Sequence, residues 1–355
     1  MTDLRLERSR FGTLRDGTAV ERFVLANAAG TSAELTSYGA SLVRLLARDR
    51  AGRLGDVVLG FDSLAPYLAK HPHLGGTIGR YANRIAGGRF PLDGREVVLA
   101  TNQSPHHLHG GVVGFDRVVW RADEIGERDR VGVRFSHRSP DGDEGYPGRL
   151  EVAVTYALGA DDALRIDFAA SADAPSVVNL THHSYWNLRD GGASEILDHE
   201  LFVNARAYTP VDRSGVPTGA IEPVAGTPLD FRSPRQIGER IAALAEARGG
   251  YDHNFVLDRA PAAAGPALAA RLRDPASGRV LEVHTTQPGL QLYAGNFLDG
   301  SLVGRGGARY RRHHGLCLET QHFPDSPNHP HFPTTRLAPG EEYRHTTVYL
   351  LGTDP

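Results

Sequence analysis

The side chains able to move protons or hold hydroxyl groups are concentrated in a few short stretches. The first runs Gly315-Leu316-Cys317-Leu318-Glu319-Thr320-Gln321 and continues into a Pro-rich segment ending at Asn328. Leu316 and Leu318 share one face of a two-residue period, and Cys317 and Glu319 share the other. Pro324 and Pro327 forbid further ladder pairing, so the spacing predicts a strand that stops near Gln321. Glu319 then stands on a rigid strand and faces whatever the irregular rim encloses, a placement that suits a general base. Taken alone, it reads more simply as a solvated acid at a strand end.

Imidazoles supply the second kind of chemistry. In the run Asn179 to Leu188, His182 and His183 are adjacent on a predicted strand and point to opposite faces, so only one of them can line a given pocket. Either also reads as a core group satisfied by a neighbour such as Ser184, and Tyr185-Trp186 reads as core. A second group, His106, His107 and His109, contains a His-x-His pair, which is a metal-ligand spacing. A cupin-type site would want Glu about four residues beyond the second histidine, but position 113 is Val and the next acid is Asp116. His106 reads as structural, whereas His109, beside two glycines, is better placed to reach a pocket.

Groups that bind hydroxyls directionally complete the set. Residues 75–90 carry too many glycines for a stable helix, so they present Arg80, Asn83 and Arg84 from a constrained loop. Guanidinium and amide groups placed there donate to hydroxyl oxygens, or they staple their own loop. Asp252, within Tyr251-Asp252-His253-Asn254-Phe255, is either a turn-former or a hydroxyl acceptor.

These groups need a scaffold, and the patterning predicts strands. Leu150, Val152, Val154 and Tyr156 alternate with polar or small residues. After a turn over Gly159 to Asp162, Leu164, Ile166 and Phe168 alternate again, which predicts an antiparallel hairpin with one buried face. Residues 120–125 and 131–135 are expected to extend that sheet. Residues 18–62 read as strands separated by small turns. Val280 to Thr285 is expected to pair with Leu290 to Tyr293 across Gln287-Pro288-Gly289, and Glu342 to Leu351 to form a closing strand. One helix is expected: Ser233-Pro234-Arg235-Gln236 has the form of a capping box, Ile237, Ile241 and Leu244 recur at helical spacing, and Gly249-Gly250 ends it. Ala262-Ala263-Ala264-Gly265 reads as a loop between strands. Without repeats or a linker, residues 1–355 read as one all-β domain, a single large antiparallel β-sandwich with few short helices.

Composition bounds the partners. Charged residues make up 23% of the chain and the net charge is −3, so there is no strong field and no indication of a nucleic-acid partner. The cations are almost all scattered arginines. Cys317 is the sole cysteine, which leaves no intrachain disulfide and fits a reducing, cytoplasmic setting. The first residues lack the apolar core of a secretory signal, and no window is apolar enough to span a membrane. No phosphate-cradling glycine pattern opens a helix, so no nucleotide cofactor is expected.

Taken together, GRYANRI at 79–85, HHLHGG at 106–111, HHSYWNL at 182–188, GGYDHNF at 249–255, TTQPGLQLYAGNFLDG at 285–300 and GLCLETQHFPDSPNHPHFP at 315–333 resemble the aldose 1-epimerases, also called galactose mutarotases. The resemblance runs in order over most of the chain. It implies an antiparallel β-sandwich with a cleft on one face, and interconversion of the α and β anomers of a free aldose such as galactose or glucose. By position it implies Glu319 as general base and His183 as general acid, with Asn83, Arg84, His109, Asp252 and Gln287 lining the sugar site. It implies no cofactor and no metal, and a monosaccharide as the small-molecule partner of a monomer or homodimer. His182 stands where an amide such as Asn is expected in many relatives.

That chemistry needs an ionised carboxylate and a charged imidazole near neutral pH, so the expectation is a pocket that keeps Glu319 ionised and raises His183. Other readings are an epimerase of a phosphorylated sugar, which would gather Arg80, Arg89 and Arg117 at the cleft rim, a non-catalytic sugar binder on the same fold, and a metal enzyme using His107 and His109.

Overall fold

The computed structural model describes residues 4–127, 129–259 and 265–354. The expected loop at Ala262, Ala263 and Ala264 lies outside them. Two large antiparallel sheets carry the site. The nine-stranded one follows the order Arg121–Gly126, Arg130–Ser139, Leu150–Gly159, Ala163–Ala172, Tyr343–Thr353, Arg279–Thr285, Ala267–Arg273, Glu200–Val203 and Arg235–Gln236. The six-stranded one follows the order Tyr185–Trp186, Leu316–Gln321, Gly289–Tyr293, Asp252–Leu257, Ala205–Thr209 and Glu222–Pro223. A five-stranded sheet formed by Arg5–Thr13, Ala19–Ala26, Ser32–Thr36, Ser41–Arg48 and Leu54–Asp56 packs beside them.

Alternation explains the packing. Val133, Val154, Ile166 and Tyr349 of the nine-stranded sheet meet Leu290, Leu292, Leu316 and Leu318 of the six-stranded sheet in one buried core, joined by Phe23 and Leu42. This is the expected β-sandwich, with apolar residues inward from both layers. The hairpin at 150–172 forms in the expected register, with Val154 opposite Phe168 and Tyr156 opposite Ile166. Its neighbours at 121–139 extend the same sheet. Because 316 and 318 serve the core, 317 and 319 point out of the sandwich, and the strand ends at Gln321 as the prolines require.

Two expectations fail. Arg279–Thr285 does not pair with Gly289–Tyr293. The first joins the nine-stranded sheet and the second the six-stranded one, so Thr286 to Pro288 is a crossing between layers and not a hairpin turn. The expected helix is also broken. Arg235–Gln236 pairs as an edge strand with Glu200 and Leu201, short 3₁₀ turns follow at Ile237–Glu239 and Ile241–Leu244, and only Ala245–Arg248 is α-helical. Edge pairing outweighs the capping signal there: the Ile237 N–H donates to His199 O at 2.9 Å and the Gly238 N–H to Leu197 O at 2.8 Å. Gly249 does end the segment with a left-handed φ of 75°. Among the described residues no helix is long and apolar enough to cross a membrane.

Candidate active site

Opposite the core, the six-stranded sheet floors a cleft of about 920 Å³. Glu319 rises from its second strand and Asp252 from its fourth. His183 comes from the turn between the short strands Thr181–His182 and Tyr185–Trp186. The wall is a two-stranded ribbon in which Arg84–Ile85 pairs with His107–Leu108. Asn83 and His109 flank that ribbon, both with left-handed backbones at φ 61° and 52°. The turn after His109 is pinned by Gly110, where a Cβ would come 1.7 Å from Gly79 O. The Pro-rich rim braces the same wall: the Asp325 N–H donates to Arg84 O at 2.9 Å, and the Asp325 carboxylate accepts from the Ala86 N–H at 2.9 Å.

Glu319, His183, His109, Asn83, Arg84 and Asp252 therefore line one cleft. Gln287 does not. It is fully buried, with its amide donating to Tyr343 Oη at 2.8 Å, because the crossing between sheets breaks the two-residue phase before Gly289. The glutamine next to the site is Gln291, opposite Glu319 in register and donating to Asp252 Oδ1 at 2.7 Å. Counting alternation back from Tyr293 would have found it. The structure adds His73, Tyr185 and Tyr293 to the lining. His107 is turned away, with Nδ1 at 2.6 Å from Ala100 O and Nε2 at 2.6 Å from Tyr146 Oη, so the His-x-His pair shares no ligand. His182 is a core group held by Tyr156 Oη at 3.1 Å and Ser184 Oγ at 2.7 Å. Arg80 is spent on Ser139 and the carbonyls of Pro140, Pro147 and Gly148, and Arg89 pairs with Glu96. Only Arg117 of the three candidate phosphate-binding arginines reaches the cleft.

Electrostatics at the centre run against the sequence expectation. Burial, with Asp252 adding to it and Arg84 opposing, pushes the Glu319 carboxyl well above its ordinary range. Burial, helped by His73, pulls His183 down to about 3. The resting pair thus favours a carboxylic acid facing a neutral imidazole, with His183 Nε2 3.7 Å from Glu319 Oε2. Desolvation penalises both charges, which outweighs the attraction that was expected to keep them. Asp252 is different: burial opposes its charge, but Arg84 and Arg248 outweigh that and hold it below its ordinary value.

Ligand-type atoms of His109, His183 and Glu319 lie within 4.8 Å of one another, which is metal-site spacing. The tautomer of His109 argues against a metal. Its Nδ1 accepts the Asn83 N–H at 3.2 Å, so the ring proton sits on Nε2, where it serves as a donor to an oxygen and not as a ligand. Glu319 Oε2 is buried without a hydrogen-bond partner and opens on the same space, as a base awaiting a hydroxyl would.

A β-sandwich whose outer face carries a carboxyl–imidazole pair among hydroxyl-binding groups defines a protein of the galactose mutarotase-like fold. The family model for aldose 1-epimerase matches residues 21–350. The galactose mutarotase of Sus scrofa is 48% identical over 97% of this chain and 98% of its own length, and the aldose 1-epimerase of Escherichia coli is 40% identical over 94% and 96%. Among solved structures, the aldose epimerase homologue of C. elegans superposes with a TM-score of 0.85 at 33% identity, covering 92% of this chain and 97% of its own. The galactose 1-epimerase of Lactobacillus acidophilus gives 0.87 at 28% identity, covering 99% and 100%. The chain belongs to the aldose 1-epimerase family, a family of isomerases.

Proposed function

We propose that this protein is an aldose 1-epimerase that interconverts the α and β anomers of a free hexose such as galactose or glucose, with Glu319 as base and His183 as acid. In the working form the pair holds its proton on His183. Glu319 takes the proton of the C1 hydroxyl, the C1–O5 bond breaks, and His183 Nε2–H protonates O5. Rotation about C1–C2 turns the carbonyl over. The O5 hydroxyl then attacks its opposite face, His183 recovers the O5 proton, and Glu319 returns its proton to O1. Atoms and protons balance without a cofactor. His109 Nε2–H and Arg84 donate to sugar oxygens and Asp252 accepts from a hydroxyl, so the open chain is held while it rotates.

The observation that carries this reading is the approach of His183 Nε2 to within 3.7 Å of Glu319 Oε2 at the floor of the cleft. Residues 1–355 are read as one catalytic domain. The lone thiol of Cys317, buried and unpaired, supports a reducing compartment such as the cytoplasm. Polarimetry of freshly dissolved α-D-galactose and α-D-glucose tests the function: equilibrium rotation is expected sooner with protein present. Unchanged relaxation for both sugars would remove the proposal.

A further inference from the structure

Asp252 is read above as the acceptor for a sugar hydroxyl, and its surroundings make that task hard. Burial opposes its charge, and Glu319, whose carboxyl it pushes further up, lies in the same cleft. Arg84 favours the charge only through space, because its own hydrogen bonds go to Gln103 Oε1 at 2.7 Å and Asn83 Oδ1 at 3.5 Å. Gln291 Nε2 holds Asp252 Oδ1 at 2.7 Å but carries no charge. Among the described residues, the cation hydrogen-bonded to Asp252 is Arg248, whose Nη2 donates to Oδ2. Arg248 does not line the cleft.

The chain is shaped to make that contact. Arg248 closes the short helix Ala245–Arg248, and Gly249 and Gly250, at φ 75° and 148°, turn the backbone so that positions 248 and 252 meet. A Cβ on Gly250 would come 2.5 Å from Asn296 Oδ1. The Asn296 amide in turn donates to Arg248 O at 3.1 Å and to Tyr251 O at 2.9 Å, which pins the turn from the loop after Gly289–Tyr293. Room for the guanidinium depends on Gly215, where a Cβ would come 2.5 Å from Arg248 Nη1. The side chains of Arg248 and Asp252 are 8% and 9% exposed, and Arg248 Nε is buried without a hydrogen-bond partner. A buried ion pair with an unmet donor adds little to folding stability, so stability alone does not account for this one.

We propose that Arg248 is a positioning residue of the sugar site, which acts through Asp252 and holds that carboxylate charged and aimed as the acceptor for a sugar hydroxyl. This rests on the acid–base reading above and deepens it. Gln291 fixes one carboxylate oxygen and Arg248 the other, so the plane of the group is set before the sugar arrives. Each oxygen keeps capacity for a further hydrogen bond, which is the one offered to the hydroxyl. Arg248 itself touches no sugar. Without it, Asp252 loses the cation bonded to it, takes a proton more readily beside Glu319, and is a weaker acceptor.

The test is a double-mutant cycle in polarimetric kinetics on galactose, with Arg248→Met, Asp252→Asn and the two combined, and with Arg248→Lys as the conservative variant. Arg248→Met is expected to raise KM roughly tenfold or more, the scale of one hydrogen bond to a charged group, with kcat changed less. Arg248→Lys keeps the charge and should recover part of that loss. Because Arg248 works through Asp252, the combined variant should be no worse than Asp252→Asn alone. A wild-type KM in Arg248→Met, an Arg248→Lys enzyme no better than Arg248→Met, or losses that multiply in the combined variant would overturn the positioning role. Should Arg248→Met prove unfolded by circular dichroism, the combined variant, which leaves no buried charge unpaired, decides by whether its KM matches that of Asp252→Asn. Glu319→Gln separates the two readings: if it is inactive while the cycle shows independent losses, the positioning role alone fails, and if it stays active, the acid–base reading fails.

Discussion

Glu319 and His183 meet across two chain segments of different structure. The carboxyl stands on an interior strand of the six-stranded sheet, and the imidazole on the turn between two short strands, with Nε2 3.7 Å from Oε2. Cys317, two residues before Glu319 on the same face, touches the other ring nitrogen at 3.5 Å. One strand thus faces the ring at both nitrogens. On the proposed reading, this arrangement aims Nε2 at the sugar's ring oxygen.

Glu319→Gln should therefore lower kcat by roughly 10²–10⁴-fold with KM changed little, since the amide keeps the shape but accepts no proton. His183→Asn should do the same. Coupled polarimetry and sugar-binding calorimetry check both, and a Glu319→Gln enzyme turning over at a near-normal rate would exclude this carboxylate as the base.

Stability should also respond to that carboxyl. Its folded-state value is raised, so above about pH 4.3 the unfolded chain has released a proton that the folded one retains. Raising the pH through this window removes stability, and below it the group contributes nothing. Glu319→Gln is expected to melt at a higher temperature than wild type at pH 8 and at a similar one at pH 4. Equal melting at both pH values would count against the buried, neutral acid.

Acid should destabilise the fold through its histidines. Burial pulls His182, His183 and His322 down to about 3, and His71 and His253 to about 4. Below about pH 6.5 the unfolded chain takes up protons that these rings refuse, so each removes up to about 1.4 kcal/mol per pH unit until its folded value is reached. Thermal melts from pH 7.5 to 5 should show a steep loss beginning near 6.5, and a flat profile would contradict it.

Gln287 and Gln291 give a contrast within one segment. Gln291→Leu removes a partner of Asp252 beside the base and should raise KM severalfold or more with a modest change in melting temperature. Gln287→Leu leaves Tyr343 without its amide donor and should cost about 1–3 kcal/mol of stability with KM near normal. The reverse pattern would restore Gln287 to the site.

Much of this was legible because period-2 alternation is strong where one face is buried. Leu316 and Leu318 put Glu319 outward, the two prolines placed the strand end, and the parity of His182 and His183 separated a core ring from a cleft ring. Gln287 came from the resemblance alone, and the chain there changes sheets, which leaves its side chain buried against Tyr343. The helix at 233–250 misled because its capping signal competes with an edge that needs covering, a fact visible only from Glu200–Val203. His73 carried no signal at all: its partner Asp116 lies far along the chain, and no local pattern joins them.

The strand Tyr343–Thr353 lies in the interior of the nine-stranded sheet, between Ala163–Ala172 and Arg279–Thr285. Arg165 reaches Thr346 across 181 positions of sequence. During synthesis the early half of that sheet must wait, with an open edge, until its middle emerges from the ribosome. Such an edge invites pairing with another nascent chain. The slowest and most aggregation-prone moment for this protein should fall before residues 343–353 have emerged, and cutting within 343–353 should split the layer in two rather than trim it.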